Sequence, residues 1–208
     1  MLRALSPRAR PNEVGPNQGG LDKAGLVQLG PVRVRRRTAV LAVTWPGGGN
    51  SGVTTVDGNA DAVLYAAGHR PPAPQFTGTT LTGSRLSFSS YRGRVVVVNF
   101  WGSWCVPCRE EAPILAAVAT RYRPSGVSFL GVDVRDAPAS ARAFARGFGI
   151  TYPSVSDPGM VITQDFTATV PIAGTPTTVV IDRTGHIAGA VFGKVTYSEL
   201  TAILTKVT

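Results

Sequence analysis

Four consecutive valines, Val95–Val98, constrain the fold of this chain more than any other feature. Phe100 and Trp101 extend them into a run of β-branched and aromatic residues that only Asn99 interrupts. A strand with one face in water alternates apolar and polar residues, whereas a run of this kind predicts a strand that is buried on both faces. Such strands occur in sheets that helices cover on both sides. The run therefore predicts an α/β domain with this strand inside its sheet.

The chain after residue 70 alternates between strand and helix patterns. A second buried strand is predicted over 127–134, and the apolar runs at 177–181 and 186–192 predict two strands joined by a tight turn. Alternating β and α units predict a parallel sheet with helices on both faces, and the closing hairpin adds antiparallel strands at one side. The prediction is therefore one α/β domain over 71–208 with a mixed central sheet. The other predicted features are a hairpin over 76–88, helices over 110–122, 138–148 and 160–166, a helix end at Gly149, and a capping box of Thr196 and Glu199 that opens the last helix.

Residues 1–70 differ in composition from the rest. They carry too few apolar residues to offset the entropy of folding, so we expect a basic tail and a Pro/Gly-rich linker, with a short helix over 61–67. The first forty residues hold eight Arg or Lys and two acidic residues, so they carry +6 of the net charge of +9. No folded face is predicted to interleave basic and aromatic residues, which argues against nucleic-acid binding.

Residues 32–45 have the outline of an export signal. The basic segment 32–37 precedes the apolar segment 38–45, as the charged and apolar parts of a secretory signal do. The apolar segment is short and includes two threonines, so a disordered basic tail is the alternative interpretation.

Cys105 and Cys108 are the only two cysteines of the chain. They lie between the strand that ends at Trp101 and the next predicted helix, and Pro107 restrains the turn between them. The first turn of a helix offers unpaired N–H groups and the positive end of the helix dipole, so a thiolate at Cys105 is favoured. This thiolate can attack a substrate disulfide, and Cys108 can then release the substrate as the resolving thiol. C-x-x-C at a strand-to-helix junction therefore predicts redox chemistry.

Other uses of the two cysteines fit the sequence less well. A zinc site needs four ligands and the chain adds only His69 and His186, so we expect no metal and no other cofactor. A structural disulfide across so short a loop stabilises a fold little. Inert core cysteines are common, but less so at such a junction. A peroxiredoxin places Pro and Thr seven and three residues before its reactive cysteine, and neither cysteine here has them.

Three segments resemble one known family. Asn99–Pro113, with the sequence NFWGSWCVPCREEAP, closely resembles the active-site segment of the TlpA/ResA-like branch of the thioredoxin superfamily. The segment 174–182, GTPTTVVID, is similar to the part of that superfamily that carries a cis-proline, and 182–185 matches the turn that follows. The hairpin over 76–88 fits this branch rather than plain thioredoxin. The resemblance implies a thioredoxin fold with an N-terminal β-hairpin extension.

The resemblance also implies roles for the residues at the cysteines and the proline. Cys105 would be the attacking cysteine and Cys108 the buried, resolving one. Pro176 would be the cis-proline that lies against the disulfide, and the backbone of Thr175 would pair with an extended substrate. An ordinary trans proline at a strand edge is the alternative for Pro176.

Trp101, Trp104 and Glu111 complete the set of implied site residues. The two tryptophans would flank the site, with core packing as the alternative for Trp101. Glu111 matches an acidic residue that ResA-like members place three residues after the second cysteine. Its carboxylate would move the proton of Cys108, provided that partial burial raises its pKa. A solvated glutamate is the alternative.

The implied activity is thiol–disulfide exchange with proteins outside the cytoplasm, most specifically as a reductant in cytochrome c maturation. Apocytochrome c would then be the substrate, a membrane thiol–disulfide carrier would reset the pair, and the protein would work as a monomer. Val106 departs from the acidic residue that ResA-like proteins often carry there, and no third cysteine is present to accept a lipid. The alternatives are an oxidant that forms disulfides and a non-catalytic binding or chaperone module.

Overall fold

The computed structural model describes residues 52–56 and 59–208 of the chain. In these residues nine strands and four α-helices follow one another in an order close to the predicted one. The strands are β1 (Val53–Val56), β2 (Asn59–Tyr65), β3 (Thr77–Thr79), β4 (Arg85–Ser87), β5 (Val95–Trp101), β6 (Val127–Val134), β7 (Ser154–Asp157), β8 (Thr177–Ile181) and β9 (Ile187–Phe192). The helices are α1 (Val106–Tyr122), α2 (Pro138–Gly147), α3 (Val161–Thr167) and α4 (Tyr197–Leu204).

Seven strands form one sheet in the order β1-β2-β9-β8-β5-β6-β7. The strands β5, β6 and β7 run parallel to one another, and every other neighbouring pair is antiparallel. All seven residues of β5 are buried, as the valine run predicts. The mixed central sheet and the separate β3–β4 hairpin are therefore confirmed.

Two apolar layers cover the two faces of the sheet. On one face, α1 and α4 pack Leu115, Val118 and Leu200 against Val95 and Val97. The opposite layer is formed by α3 and the hairpin region, whose aromatic side chains Phe76, Phe88 and Phe166 join Phe100 of β5. Full burial of one such side chain contributes roughly 1.5–3 kcal/mol. Helices on both faces explain why β5 needs no polar alternation.

The linker interpretation is wrong for residues 53–56 and 59–65, and so is the short helix over 61–67. These residues form β1 and β2, which extend the sheet beyond β9. The alanine and leucine residues of β2 favour a helix on their own, but pairing with the edge of β9 overrides that preference. The predicted tail and export signal up to residue 51 lie outside the described residues.

Local signals at the helix ends are confirmed. The hydroxyl of Thr196 accepts a hydrogen bond from the backbone N–H of Glu199, whose side chain accepts one from the backbone N–H of Thr196. Gly149 follows the end of α2 with a φ of +64°, a left-handed conformation that glycine adopts without strain. Strand β7 has only four residues and was not predicted from the sequence. Within the described residues, none of the helices is long and apolar enough to cross a bilayer.

We predict that Gly189→Ala destabilises the protein by about 1–3 kcal/mol. A Cβ at Gly189 would lie 2.7 Å from the carbonyl oxygen of Val63 on β2 and 3.1 Å from Ile203 on α4. Urea unfolding of the full chain measures the change. The matched control is Gly147→Ala, because a Cβ there meets nothing within 4 Å. Equal stabilities of the two variants would show that β2 does not pack on β9 as described.

Candidate active site

The two cysteines lie where β5 ends and α1 begins. Cys105 is the N-cap residue of α1, and its Sγ accepts a hydrogen bond of 3.2 Å from the backbone N–H of Cys108. The two residues form a disulfide, with their Cα atoms 5.3 Å apart. Pro107 occupies the first turn, where a missing N–H costs nothing because the helix leaves that group unpaired. The sulfur of Cys105 therefore occupies a position that stabilises negative charge.

Exposure alone does not separate the two cysteines in the oxidised protein. Cys105 is 4% exposed and Cys108 is 1% exposed. The residues next to Cys105 in sequence are accessible, because Trp104 and Val106 are 56% and 65% exposed. Trp101 is buried and stacks on Phe144 with ring centroids 4.6 Å apart, so core packing accounts for its contacts. The position of Cys105 at the helix start is thus the feature that distinguishes it from Cys108.

The Thr175–Pro176 peptide bond is cis, as the resemblance implied. It immediately precedes β8, which runs antiparallel to β5 and pairs Thr177 with Phe100. This register brings Pro176 to the same edge of the sheet as the disulfide. The hydroxyl oxygen of Thr175 is buried and has no hydrogen-bond partner among the described residues.

Glu111 is fully buried in α1, so the solvated alternative is wrong for this residue. One carboxyl oxygen accepts a hydrogen bond of 2.8 Å from Nδ2 of Asn99, and the other accepts one of 2.9 Å from the backbone N–H of Val195. Burial raises the pKa of Glu111 to about 7, although both hydrogen bonds and the charge of Lys194 pull it down. The carboxyl group can therefore change its protonation state near neutral pH.

Glu110, the next residue, has a different environment. Its side chain is about half exposed and forms an ion pair of 2.7 Å with Lys194. An exposed pair of this kind contributes little to stability. Glu110 is therefore a suitable control for Glu111.

Asp133 is a buried acid that the sequence analysis missed. It lies on β6, level with Trp101 of β5, and is fully buried. Neither carboxyl oxygen reaches hydrogen-bond geometry with a described residue. Burial, and to a lesser extent the negative charge of nearby Asp136, raise the pKa of Asp133 to about 7. An aspartate inside an apolar strand pattern was the available signal.

Gly131, also on β6, leaves room for two buried polar atoms of the neighbouring strands β5 and β7. A Cβ there would lie 2.6 Å from Nε1 of Trp101 and 2.9 Å from Cβ of Ser154. Nε1 of Trp101 and Oγ of Ser154 both lack hydrogen-bond partners among the described residues. Trp101 thus belongs to the apolar cluster that contains both cysteines, while its indole nitrogen lies against Gly131.

The sequence is similar to one protein family and to several thiol-disulfide oxidoreductases. The sequence profile of the AhpC/TSA family matches residues 70–190. The thiol-disulfide oxidoreductase ResA of Geobacillus kaustophilus is 32% identical over 168 residues, which are 81% of this chain and 92% of that protein. ResA of Bacillus anthracis is 29% identical over 136 residues, covering 65% of this chain and 76% of that protein.

Solved structures agree with this result. A DsbF homologue from Corynebacterium diphtheriae superposes with a TM-score of 0.65 at 31% identity, covering 73% of this chain and 96% of that one. A secreted thiol-disulfide isomerase from Corynebacterium glutamicum gives the same TM-score and coverage at 28% identity. The thioredoxin fold predicted from the resemblance is confirmed.

We predict that Glu111 and Asp133 make the protein less stable as the pH rises. Both acids have a higher pKa in the folded protein than their ordinary values of 4.5 and 3.8, so the folded state holds protons that the unfolded state has released. Each contribution is complete below about pH 4 and is lost by about pH 7, and it amounts to roughly 3 kcal/mol for Glu111 and roughly 4 kcal/mol for Asp133.

Urea unfolding of oxidised protein between about pH 4 and about pH 8 checks this prediction. Glu111→Gln and Asp133→Asn should each gain stability relative to the unchanged protein as the pH rises through this window. Glu110→Gln should run parallel to the unchanged protein, because that carboxyl group is exposed. Parallel curves for all three variants would show that the two acids are not buried as described.

Proposed function

This chain belongs to the AhpC/TSA family and is a TlpA/ResA-like thiol–disulfide oxidoreductase of the thioredoxin superfamily, and on that premise we propose that Cys105 and Cys108 are its redox pair. The observation that carries the proposal is the disulfide at the start of α1, with the sulfur of Cys105 accepting the N–H of Cys108. A thiolate at that sulfur gains a hydrogen bond and the helix dipole.

In the reduced protein the Cys105 thiolate attacks one sulfur of a substrate disulfide. A mixed disulfide forms, and the other substrate sulfur leaves as a thiolate that takes up a proton. Cys108 then loses its proton and attacks the sulfur of Cys105, which releases the second substrate thiol. Two electrons and two protons pass to the substrate, and the Cys105–Cys108 disulfide is the product.

Glu111 acts as the acid–base group for Cys108 in this proposal. It lies one turn beyond Cys108 on α1, and burial brings its pKa to about 7, near the operating pH of such a group. Its ionised form accepts the Cys108 proton in the second step. Asn99 and the backbone of Val195 hold the carboxyl group in place for this transfer.

The substrate surface in this proposal consists of Trp104 and the Thr175–Pro176 segment. Trp104 is exposed beside Cys105, and the backbone of Thr175 pairs with an extended substrate chain. Trp101 supports the site by packing in the apolar cluster that contains the cysteines. Pro107 supports it from within the first turn of α1.

We place this activity outside the cytoplasm, as a reductant for the haem-attachment cysteines of apocytochrome c. The support is the likeness to proteins named ResA and to structures described as secreted. Val106 and Pro107 stand between the cysteines, where strongly oxidising relatives have a histidine. That histidine stabilises the thiolate and thus the reduced form, so its absence favours the reducing direction. A membrane thiol–disulfide carrier would return the pair to its reduced form.

We predict that Cys108→Ser accumulates a mixed disulfide through Cys105, because the resolving thiol is gone. The probe is an oxidised peptide with the haem-attachment pattern Cys-x-x-Cys-His, and mass spectrometry identifies the linked residue. Cys105→Ser is the matched variant and should form far less adduct. Equal adducts on both variants would contradict the assignment, and full cellular function of the Cys105→Ser, Cys108→Ser double variant would favour a binding module.

We predict that Glu111→Gln slows reduction of the same peptide by at least about tenfold near neutral pH. The unchanged enzyme should speed up as the pH rises through about 7, because only the ionised carboxyl group accepts the proton, and Glu111→Gln should lose this rise. Stopped-flow kinetics measure both effects, with Glu110→Gln as the control. An unchanged pH profile in Glu111→Gln would remove Glu111 from the mechanism.

A further inference from the structure

The segment between β5 and Cys105 is held by two charged side chains. The backbone N–H of Ser103 donates a hydrogen bond of 2.6 Å to Oδ2 of Asp136, and its hydroxyl donates one of 2.9 Å to Oδ1. The carbonyl oxygen of the same residue accepts a hydrogen bond of 3.0 Å from Nη1 of Arg109. One residue, two positions before Cys105, thus joins the connection after β6 to helix α1.

Trp104 is fixed by the same connection. Its Nε1 donates a hydrogen bond of 3.2 Å to the carbonyl oxygen of Val134 at the end of β6. The indole lies over Gly102, where a Cβ would be 2.5 Å from Nε1. Trp104 is therefore about half exposed, yet its hydrogen bond fixes the orientation of the indole. That orientation depends on the position of the segment between β5 and Cys105.

Asp136 is itself held in place. Oδ1 also accepts a hydrogen bond of 2.7 Å from the backbone N–H of Ala137, which is the N-cap residue of α2. The backbone before it is strained, because Arg135 has a φ of +50°, a conformation that side-chain-bearing residues rarely adopt. Strain of this kind persists only where surrounding contacts fix it, and the bonds to Ser103 and Ala137 are such contacts.

We propose that Asp136 is a positioning residue of the redox site: it holds Ser103, and thereby the peptide that leads into Cys105, and its negative charge opposes a thiolate there. The inference rests on the proposed role of Cys105 as the attacking cysteine. Arg109 carries the opposite charge and binds the carbonyl oxygen of the same residue, in the next peptide unit. Asp133 is the other acid beside Asp136, whose charge raises the pKa of Asp133. Asp136 is not a catalytic residue, because its hydrogen bonds go to Ser103 and Ala137.

The test measures alkylation of Cys105 by iodoacetamide in the reduced full chain as a function of pH. Asp136→Asn removes the charge and leaves one amide oxygen in place of the two oxygens that accept from Ser103 and Ala137, so the pH midpoint of alkylation should fall by about half a unit. Arg109→Gln removes the opposing charge and should raise the midpoint by a similar amount. Asp165→Asn is the control, because Asp165 is exposed on α3, and it should leave the midpoint unchanged.

A second readout tests positioning apart from charge. Ser103→Ala removes only the hydroxyl bond to Asp136, so the alkylation midpoint should stay constant while reduction of a protein disulfide slows. Asp136→Asn should slow that reduction by about tenfold, because the peptide and Trp104 are both displaced. Equal midpoints and rates for Asp136→Asn and Asp165→Asn would overturn the proposal. A midpoint shift of the same sign in Asp136→Asn and Arg109→Gln would overturn it too.

The two proposals fail in different ways. Peptide mapping of the alkylated protein shows which cysteine reacts. Preferential labelling of Cys108 would contradict the proposed function, whereas labelling of Cys105 with no effect of Asp136 would contradict this inference alone. If Asp136→Asn does not fold, Ser103→Ala decides the question, because it removes one bond to Asp136 and keeps the bond from the Ser103 N–H; an unchanged rate of disulfide reduction in Ser103→Ala would then overturn the proposal.

Discussion

The burial of β5 between a parallel and an antiparallel neighbour is the constraint on which the site depends. The parallel partner β6 requires a crossover, and that crossover, helix α1, begins at the carboxyl end of β5, where Cys105 is the N-cap. The antiparallel partner β8 begins at the same edge, which brings the cis Thr175–Pro176 bond there. The apolar core that buries β5 on both faces therefore also assembles the disulfide, the helix start and the proline.

Two buried acids distinguish this site from an ordinary core. Glu111 and Asp133 are both fully buried, and both have a pKa raised to about 7, so each costs stability once it ionises. The hydrogen bonding of the two carboxyl groups differs: Glu111 accepts two hydrogen bonds, whereas Asp133 accepts none from the described residues. A carboxyl group that is held in one geometry but titrates near neutral pH suits proton transfer, and this is the physical basis for the role proposed for Glu111.

The sequence alone predicted those parts of the fold that local patterns determine. The valine run, the capping box of Thr196 and the position of the C-x-x-C motif all follow from residues that are neighbours in sequence. β2 was missed because its pairing with β9 joins residues far apart in the chain. For the same reason, two hydrogen bonds could not be predicted from the sequence. One joins Asp136 to Ser103, 33 residues away, and the other joins Glu111 to Val195, 84 residues away. The resemblance identified Glu111, but only packing shows that it is buried.

The reduction potential of the Cys105–Cys108 pair tests the central claim, that this enzyme passes electrons to protein disulfides. The full chain is equilibrated with thiol buffers of defined potential, and the oxidised fraction is read from alkylation. The account predicts a value near or below about −270 mV, the range of a thiol reductant. A value near about −120 mV would contradict it, because a pair of that potential forms disulfides in its substrates.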